Sequence, residues 1–270
     1  RSSPSQAPAF DREFTVGALP DMISPNQDCT MLAVANEGEG DMDSNNTLVD
    51  PVGSVTIIRN PTADAPDVWT VSFDALGSDA ELMASGVHLP LPLGALEYWD
   101  DHSDIAADVD FSAARASYVP ATNLEPEYLG WSADDTKIFV NLQENSAIIT
   151  VSVPSGAWDG SSGPSATRID ALGLKDWSDA GGTAGIDLVK DGDCVLSHYA
   201  GWASLRSADA IQVVAVDGVD YILTANEGDD KEYGDYEEKW KAKDLLDADG
   251  TVGMSGATVD SDVLAAFIAQ

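Results

Sequence analysis

Three copies of one short block of residues recur along this chain, at positions 20–38, 126–145 and 208–228. Each copy has an acidic residue followed by apolar residues, a polar turn, and a second apolar run that ends in an amide residue and Glu. Short runs rich in β-branched and aromatic residues on either side of a polar turn predict a β-hairpin. The chain is therefore expected to be a repeat protein built from hairpins.

The last residue of each copy is Gly38, Asn145 or Gly228. Glycine and asparagine tolerate the left-handed backbone conformation, which lets a chain leave a strand sharply. The copies are separated by 107 residues (Asn36 to Gln143) and 83 residues (Gln143 to Asn226), which is too irregular for a short-period array. This spacing favours an all-β fold of the β-propeller class, with blades around a common axis and long acidic loops between them.

The repeat carries oxygen-bearing side chains at corresponding positions. An acid opens the first strand of each copy, and an amide–Glu pair ends the second. If the first strands converge on one channel, these side chains form a ring of donors that suits Ca²⁺, which takes six to eight oxygen ligands. The predicted metal ligands are Asp21, Asn36, Glu37, Glu127, Gln143, Glu144, Asp209, Asn226, Glu227 and Asp229. The alternative is that these side chains cap turns and bind backbone amides between blades.

The charge balance is strongly acidic, with 13 basic and 47 acidic residues and a net charge of −34. Such a surface repels phosphate backbones and anionic membranes, so nucleic-acid binding is not expected, whereas cations and basic partners are favoured. No stretch approaches the ~20 apolar residues of a membrane span. A solvated acidic face without specific ion binding is the alternative interpretation of the same charge.

Two further features bear on an extracellular location. Cys29 and Cys194 allow either one disulfide that closes a long loop or two buried thiols. Asn45 begins an Asn-Asn-Thr acceptor sequon for N-glycosylation in the loop after the first hairpin. By contrast, the three histidines are scattered, and no motif for zinc, nucleotide phosphates or an acyl-transfer nucleophile is present.

A family resemblance rests on six short segments in a fixed order. The chain resembles the choice-of-anchor I β-propeller family, which includes the mesenchyme-specific cell-surface glycoproteins linked to biomineralisation. The segments are ASGV at 84–87, LEPEY at 124–128, LQEN at 142–145, GLKD at 173–176, SADAI at 207–211 and TANEGD at 224–229. The resemblance implies a secreted or cell-surface propeller, seven-bladed in full-length relatives, and some relatives carry an alkaline-phosphatase label.

We therefore expect residues 1–270 to form a single β-propeller domain or the N-terminal portion of one. Residues 1–13 are a lead-in segment, and 247–270 are the start of a further blade. The leading functional hypothesis is a non-enzymatic, acidic, calcium-binding scaffold, adhesion or mineral-associated module that contacts other extracellular chains, minerals or glycans. The alternatives are a secreted phosphoesterase, or a non-catalytic part of one, and a structural subunit of a larger extracellular assembly.

Overall fold

A computed structural model describes residues 11–101, 109–179, 182, 184–188, 192–233 and 236–238. In these residues the structure is β-rich, with three short α-helices, α1 (Asp79–Ala84), α2 (Leu93–Asp101) and α3 (Ser112–Ser117), and 3-10 turns at Asp74–Leu76 and Pro120–Asn123. The strands, in chain order, are β1 (Pro20–Pro25), β2 (Met31–Asn36), β3 (Asp41–Met42), β4 (Leu48–Val49), β5 (Ser54–Arg59), β6 (Asp67–Val71), β7 (Tyr128–Trp131), β8 (Lys137–Leu142), β9 (Ala147–Ser152), β10 (Ser165–Ala171), β11 (Leu174–Asp176), β12 (Ala203–Leu205), β13 (Ala208–Val216), β14 (Val219–Asn226), β15 (Glu232–Tyr233) and β16 (Tyr236–Glu237).

Two four-stranded antiparallel sheets dominate the fold. The first has the order β1-β2-β5-β6 and the second the order β7-β8-β9-β10, so that each is a simple up-and-down meander. The third hairpin, β13-β14, is a two-stranded sheet within the described part of the chain. The prediction of an all-β fold is confirmed at this level. None of these sheets closes on itself, and the closed propeller stays a prediction.

All three predicted hairpins are present. Strand β1 pairs with β2, β7 with β8, and β13 with β14, each antiparallel. Asn36 and Asn226 are the last residues of β2 and β14, as the repeat indicated. Gln143 differs, because β8 ends one residue earlier at Leu142. The last residue of β8 that pairs with β7 is Asn141, which lies opposite Tyr128 and is fully buried.

The chain leaves two of the hairpins through left-handed glycines, as expected. Gly38 has a φ of 68° and Gly228 a φ of 96°. In the second copy the left-handed residue is Ser146 (φ 47°), not Asn145. Asn145 is instead fully buried, and its amide nitrogen donates hydrogen bonds to the carbonyl oxygens of His88 and Asn123. Its side chain is therefore used to join segments and not to make the turn.

The first strands of the three hairpins pack side by side, with β7 in contact with both β1 and β13. Two hydrogen bonds join β7 to β1: the Trp131 indole nitrogen donates to the Ser24 carbonyl oxygen at 3.2 Å, and Leu129 N donates to Met22 Sδ at 3.2 Å. Gly130 brings β7 close to Val213 of β13, because a Cβ at Gly130 would lie 2.7 Å from Val213 Cγ2. The starts of these strands therefore lie near one another, which positions the site described below.

One apolar core lies between the first two sheets, and a smaller core lies beneath helices α2 and α3. Alternating residues of the central strands fill the larger core, as the period of two in a strand requires. Its fully buried members include Ile57, Ile138, Val140 and Ile149. The smaller cluster consists of Leu48, Leu91, Leu96, Val109, Phe111 and Ala114. The helical segment between the first two sheets thus has an apolar cluster of its own.

Gly53 is required by the close approach of the two sheets. A Cβ at this position would overlap the Leu124 carbonyl oxygen, which is backbone and cannot rotate away. We expect Gly53→Ala to lower the free energy of unfolding by about 2 kcal/mol, as in other overpacked sites. Chemical denaturation measures the change, and Gly156→Ala is the control, because a Cβ there meets nothing within 4 Å. Equal stability of the two variants would contradict the prediction.

The remaining sequence predictions concern the loops and the ends of the chain. Cys29 and Cys194 are both exposed free thiols; the structure therefore contains neither the bridge between them nor the buried thiols that were the alternative. Asn45 is exposed in the loop between β3 and β4, and its glycosylation stays a prediction. Most of the lead-in segment and all of residues 247–270 lie outside the described residues.

Candidate functional site

Carboxylates from all three hairpins line one open cavity of about 460 Å³. Three come from the starts of the hairpins, where β1, β7 and β13 lie side by side, and the others follow the ends of the second strands. Every described residue that lines this cavity is acidic: Asp21, Glu37, Glu39, Glu127, Glu144, Asp209, Asp229, Asp230 and Glu232. We call the space that these residues line the carboxylate cavity. The convergence of the three acid-bearing hairpins, predicted from the repeat, is therefore present.

Six of the ten predicted ligands line the carboxylate cavity: Asp21, Glu37, Glu127, Glu144, Asp209 and Asp229. The other four do not. Asn36 is fully buried, and its amide nitrogen donates to Ser54 and Thr56 of the neighbouring strand β5. Gln143, Asn226 and Glu227 are not among the lining residues. Asn36 and Glu37 are consecutive and have different surroundings: the amide binds the neighbouring strand, whereas the carboxylate lines the cavity. That these carboxylates bind a metal stays a prediction.

The sequence reasoning missed three members of the cavity, Glu39, Asp230 and Glu232. Each lies two to five residues beyond the amide–Glu pair of its hairpin. A signal for them was present, because acids continue directly after the first and third copies of the repeat. What the repeat did not indicate is that residues after the first and third hairpins also line the cavity.

Glu127 and Glu144 are the most buried pair in the cavity. Their carboxyl groups interact directly, and Glu127 Oε1 also accepts a hydrogen bond from the Gln143 backbone nitrogen at 3.2 Å. Burial raises the pKa of both groups, and the negative charge of Glu144 raises that of Glu127 further. Glu144 is 7% exposed, and its Oε2 atom has no hydrogen-bond partner. A buried oxygen without a donor is costly unless a proton or a cation neutralises it.

Glu37 is the half-buried member of the cavity. Burial, with added repulsion from Glu39, Glu144 and Asp21, raises the pKa of Glu37 to about 7. When no cation is bound, this carboxyl group therefore keeps its proton to a higher pH than an ordinary glutamate does. The three acidic groups that raise the pKa of Glu37 by repulsion all line the same cavity. Its raised pKa is therefore partly a result of negative charges lying close together there.

A buried ionic cluster lies next to the cavity. The Lys231 ammonium contacts the Glu125 carboxylate, and these residues are only 2% and 1% exposed. Asp50 is 8% exposed; burial raises its pKa to about 7, while the charge of Lys231 acts to lower it. Sequence reasoning did not identify this cluster, because its members are 181 residues apart (Asp50 to Lys231) and follow no repeat.

The donor atoms of the cavity determine which metal ion it could hold. In the part of the chain that the structure describes, no group of three or more His, Cys, Asp or Glu side chains is arranged to hold a metal ion. The donor set is nevertheless entirely carboxylate, which is the chemistry preferred by hard cations. The cavity also has room for water, and Ca²⁺ commonly keeps water among its ligands. The chemistry of the donors therefore suits a hard cation, whereas their spacing leaves room for water between them.

Comparison with known protein families gives a match over nearly the whole chain. The model of the choice-of-anchor I domain matches residues 2–263, which is nearly the whole chain. Neither the curated proteins nor the solved structures gave a match. Among the described residues, no helix is long and apolar enough to cross a membrane.

Proposed function

We propose that this chain is a surface-associated, extracellular module that binds Ca²⁺ in the carboxylate cavity. The premise is that the chain belongs to the family of choice-of-anchor I domains. The single observation that supports this proposal is the convergence of nine carboxylates, contributed by three separate hairpins, on one cavity. The family name indicates a surface-associated domain. The cation, the scaffold role and the location outside the cell are our own inferences from the charge and the site.

Electrostatics supports the cation. Nine carboxylates around one cavity repel one another, and such crowding destabilises the folded state unless protons or cations neutralise it. Glu144 carries the clearest sign, since its buried Oε2 lacks a donor. A divalent cation in the cavity would satisfy this oxygen and screen its neighbours. Glu127, Glu144 and Glu37 are the residues that we expect to be nearest to the ion, with the exposed acids binding through water.

The net charge of −34 extends this argument to the surface of the protein. An acidic surface that carries calcium can bridge to other acidic chains, to glycans or to mineral through shared cations. This is the basis for proposing a scaffold, adhesion or mineral-associated role. The phosphoesterase alternative is less well supported, because the same carboxylates would repel a phosphate ester unless bound cations neutralised them. No observation favours the alternative of an assembly subunit.

Calorimetric titration of CaCl₂ into the chelator-treated chain tests the proposal. We expect saturable binding, and we expect Glu144→Gln to weaken it about tenfold. The reason is that a charge about 5 Å from a divalent ion in water contributes on the order of 1.5 kcal/mol, which is about a factor of ten in the dissociation constant. Asp64→Asn is the matched control, because it removes one carboxylate from an exposed turn away from the cavity. Absence of binding, or equal loss in both variants, would refute the site.

A further inference from the structure

The segment 229–232 has two faces with different surroundings. Asp229, Asp230 and Glu232 line the carboxylate cavity. Lys231, in the middle of the same segment, is 2% exposed and is directed into the protein, where its ammonium contacts Glu125. The segment thus directs one buried ammonium group into the protein and three carboxylates toward the cavity.

The backbone of Lys231 is also fixed in place. Its carbonyl oxygen accepts a hydrogen bond from Glu238 N at 2.9 Å, and its nitrogen lies 3.4 Å from Glu238 Oε2. The other oxygen of Glu238 contacts the His88 ring nitrogen Nε2 at 2.5 Å. Glu125 and His88 both lie in the segment between β6 and β7. These contacts therefore attach the segment after the third hairpin to the region that joins the first two sheets.

We propose that Lys231 is a positioning residue, which holds Asp229, Asp230 and Glu232 over the carboxylate cavity through its buried ion pair with Glu125. This inference rests on the proposed cation site. The lysine itself does not contact the ion. Three of the nine carboxylates reach the cavity only while the Lys231 ammonium lies beside Glu125.

The direction in which Lys231→Met changes the calcium affinity distinguishes a positioning role from an effect of charge alone. Lys231 carries a positive charge near the cavity, and a fixed positive charge by itself weakens the binding of another cation. If the lysine acted through its charge alone, Lys231→Met would therefore tighten calcium binding. If it holds the segment in place, the same substitution releases three carboxylates and weakens binding.

The test compares calcium titrations of the wild-type chain, Lys231→Met and Lys137→Met. Lys137 is exposed at the start of β8, at the opposite end of that strand from the cavity, and its substitution removes the same charge. We expect Lys231→Met to weaken binding about tenfold to a hundredfold, with Lys137→Met unchanged. Affinity for Lys231→Met that equals or exceeds that of the wild type would overturn the inference.

Two further measurements keep the test decisive. If Lys231→Met does not fold, the double variant Glu125→Leu/Lys231→Met removes both members of this ion pair. It should show the same weakening, and wild-type affinity would overturn the inference. Hydrogen exchange of the amides of 229–232 is measured without calcium and does not depend on the cation site. Faster exchange in Lys231→Met supports the positioning role even if the wild type binds no calcium, and unchanged exchange overturns it.

Discussion

Glu125→Leu should lower the free energy of unfolding by about 3–5 kcal/mol, which is the usual cost of removing one partner from a buried ion pair. Glu125 is 1% exposed, and its carboxylate contacts the Lys231 ammonium, which is equally withdrawn from solvent. The substitution takes away the contacting carboxylate and leaves a charge in a region where water cannot replace it. Urea denaturation at constant pH and ionic strength measures the change.

A double-mutant cycle provides the control for this prediction. Lys231→Met alone should also be destabilising, because it leaves the Glu125 carboxylate buried without the lysine. The double variant should recover a large part of the loss, since replacing both members of a buried pair by apolar residues is often close to neutral. Additive losses in the two single variants would mean that the two side chains do not stabilise the protein as a pair.

The stability of the cation-free protein should fall as the pH rises from about 5 to 8, by roughly 3 kcal/mol. The pKa of Asp50 and that of Glu37 are raised to about 7 in the folded state, whereas unfolded Asp and Glu titrate near pH 4. A group with a raised folded-state pKa contributes stability that is fully present below its unfolded pKa and is lost as the pH rises through its folded pKa. The window for both groups is therefore about pH 4 to 7.

Asp50 contributes most of this expected fall, and the raised pKa of Glu127 and that of Glu144 act in the same direction and enlarge it. Each unit of pKa difference corresponds to about 1.4 kcal/mol, and Asp50 is nearly buried, whereas Glu37 is half exposed and contributes a smaller, solvent-screened share. The exposed carboxyl groups with lowered pKa, such as that of Asp134, titrate at lower pH and do not affect this window. The pKa of Lys231 is lowered in the folded state. Over the pH range in which the folded lysine loses its proton, this shift makes the stability rise with pH, which opposes the fall.

Thermal melts in chelator at pH 5, 6, 7 and 8 measure this dependence, and a fall of about 10 °C in Tm corresponds to the expected loss for a domain of this size. Asp50→Asn should flatten much of the profile, and Asp64→Asn should leave it unchanged. Saturating calcium should restore stability at pH 8, by about 2.7 kcal/mol at one hundred times the dissociation constant. A cation-free Tm that rises between pH 5 and 8 would contradict the prediction.

The local parts of the fold were predictable because they depend on residues close in sequence. The apolar runs around polar turns predicted the three hairpins, and the left-handed glycines at Gly38 and Gly228 followed from the same pattern. Asn145 was misassigned, because its amide joins His88 and Asn123, which lie 57 and 22 residues away. Those distant carbonyl groups cannot be identified from a local pattern.

The candidate site was predicted in its position and only partly in its members. The repeat marked the hairpin ends, and six of the predicted ligands do line the cavity. Asn36 does not line the cavity because consecutive residues at a strand end point in different directions, and its amide donates to Ser54 and Thr56. Glu39, Asp230 and Glu232 were missed because their placement depends on the path of the chain after the hairpins.

The amino-acid sequence by itself determined the β-hairpins, the strongly acidic character and the family, since strand periodicity, charge and short motifs are properties of neighbouring residues. Only the tertiary structure decided that nine carboxylates share one cavity and that Lys231 is seated beside Glu125. The physical reason is that both depend on which surfaces exclude water. Burial sets the pKa of Glu127 and Asp50 and the strength of the ion pair, and burial arises from contacts between residues far apart in the chain.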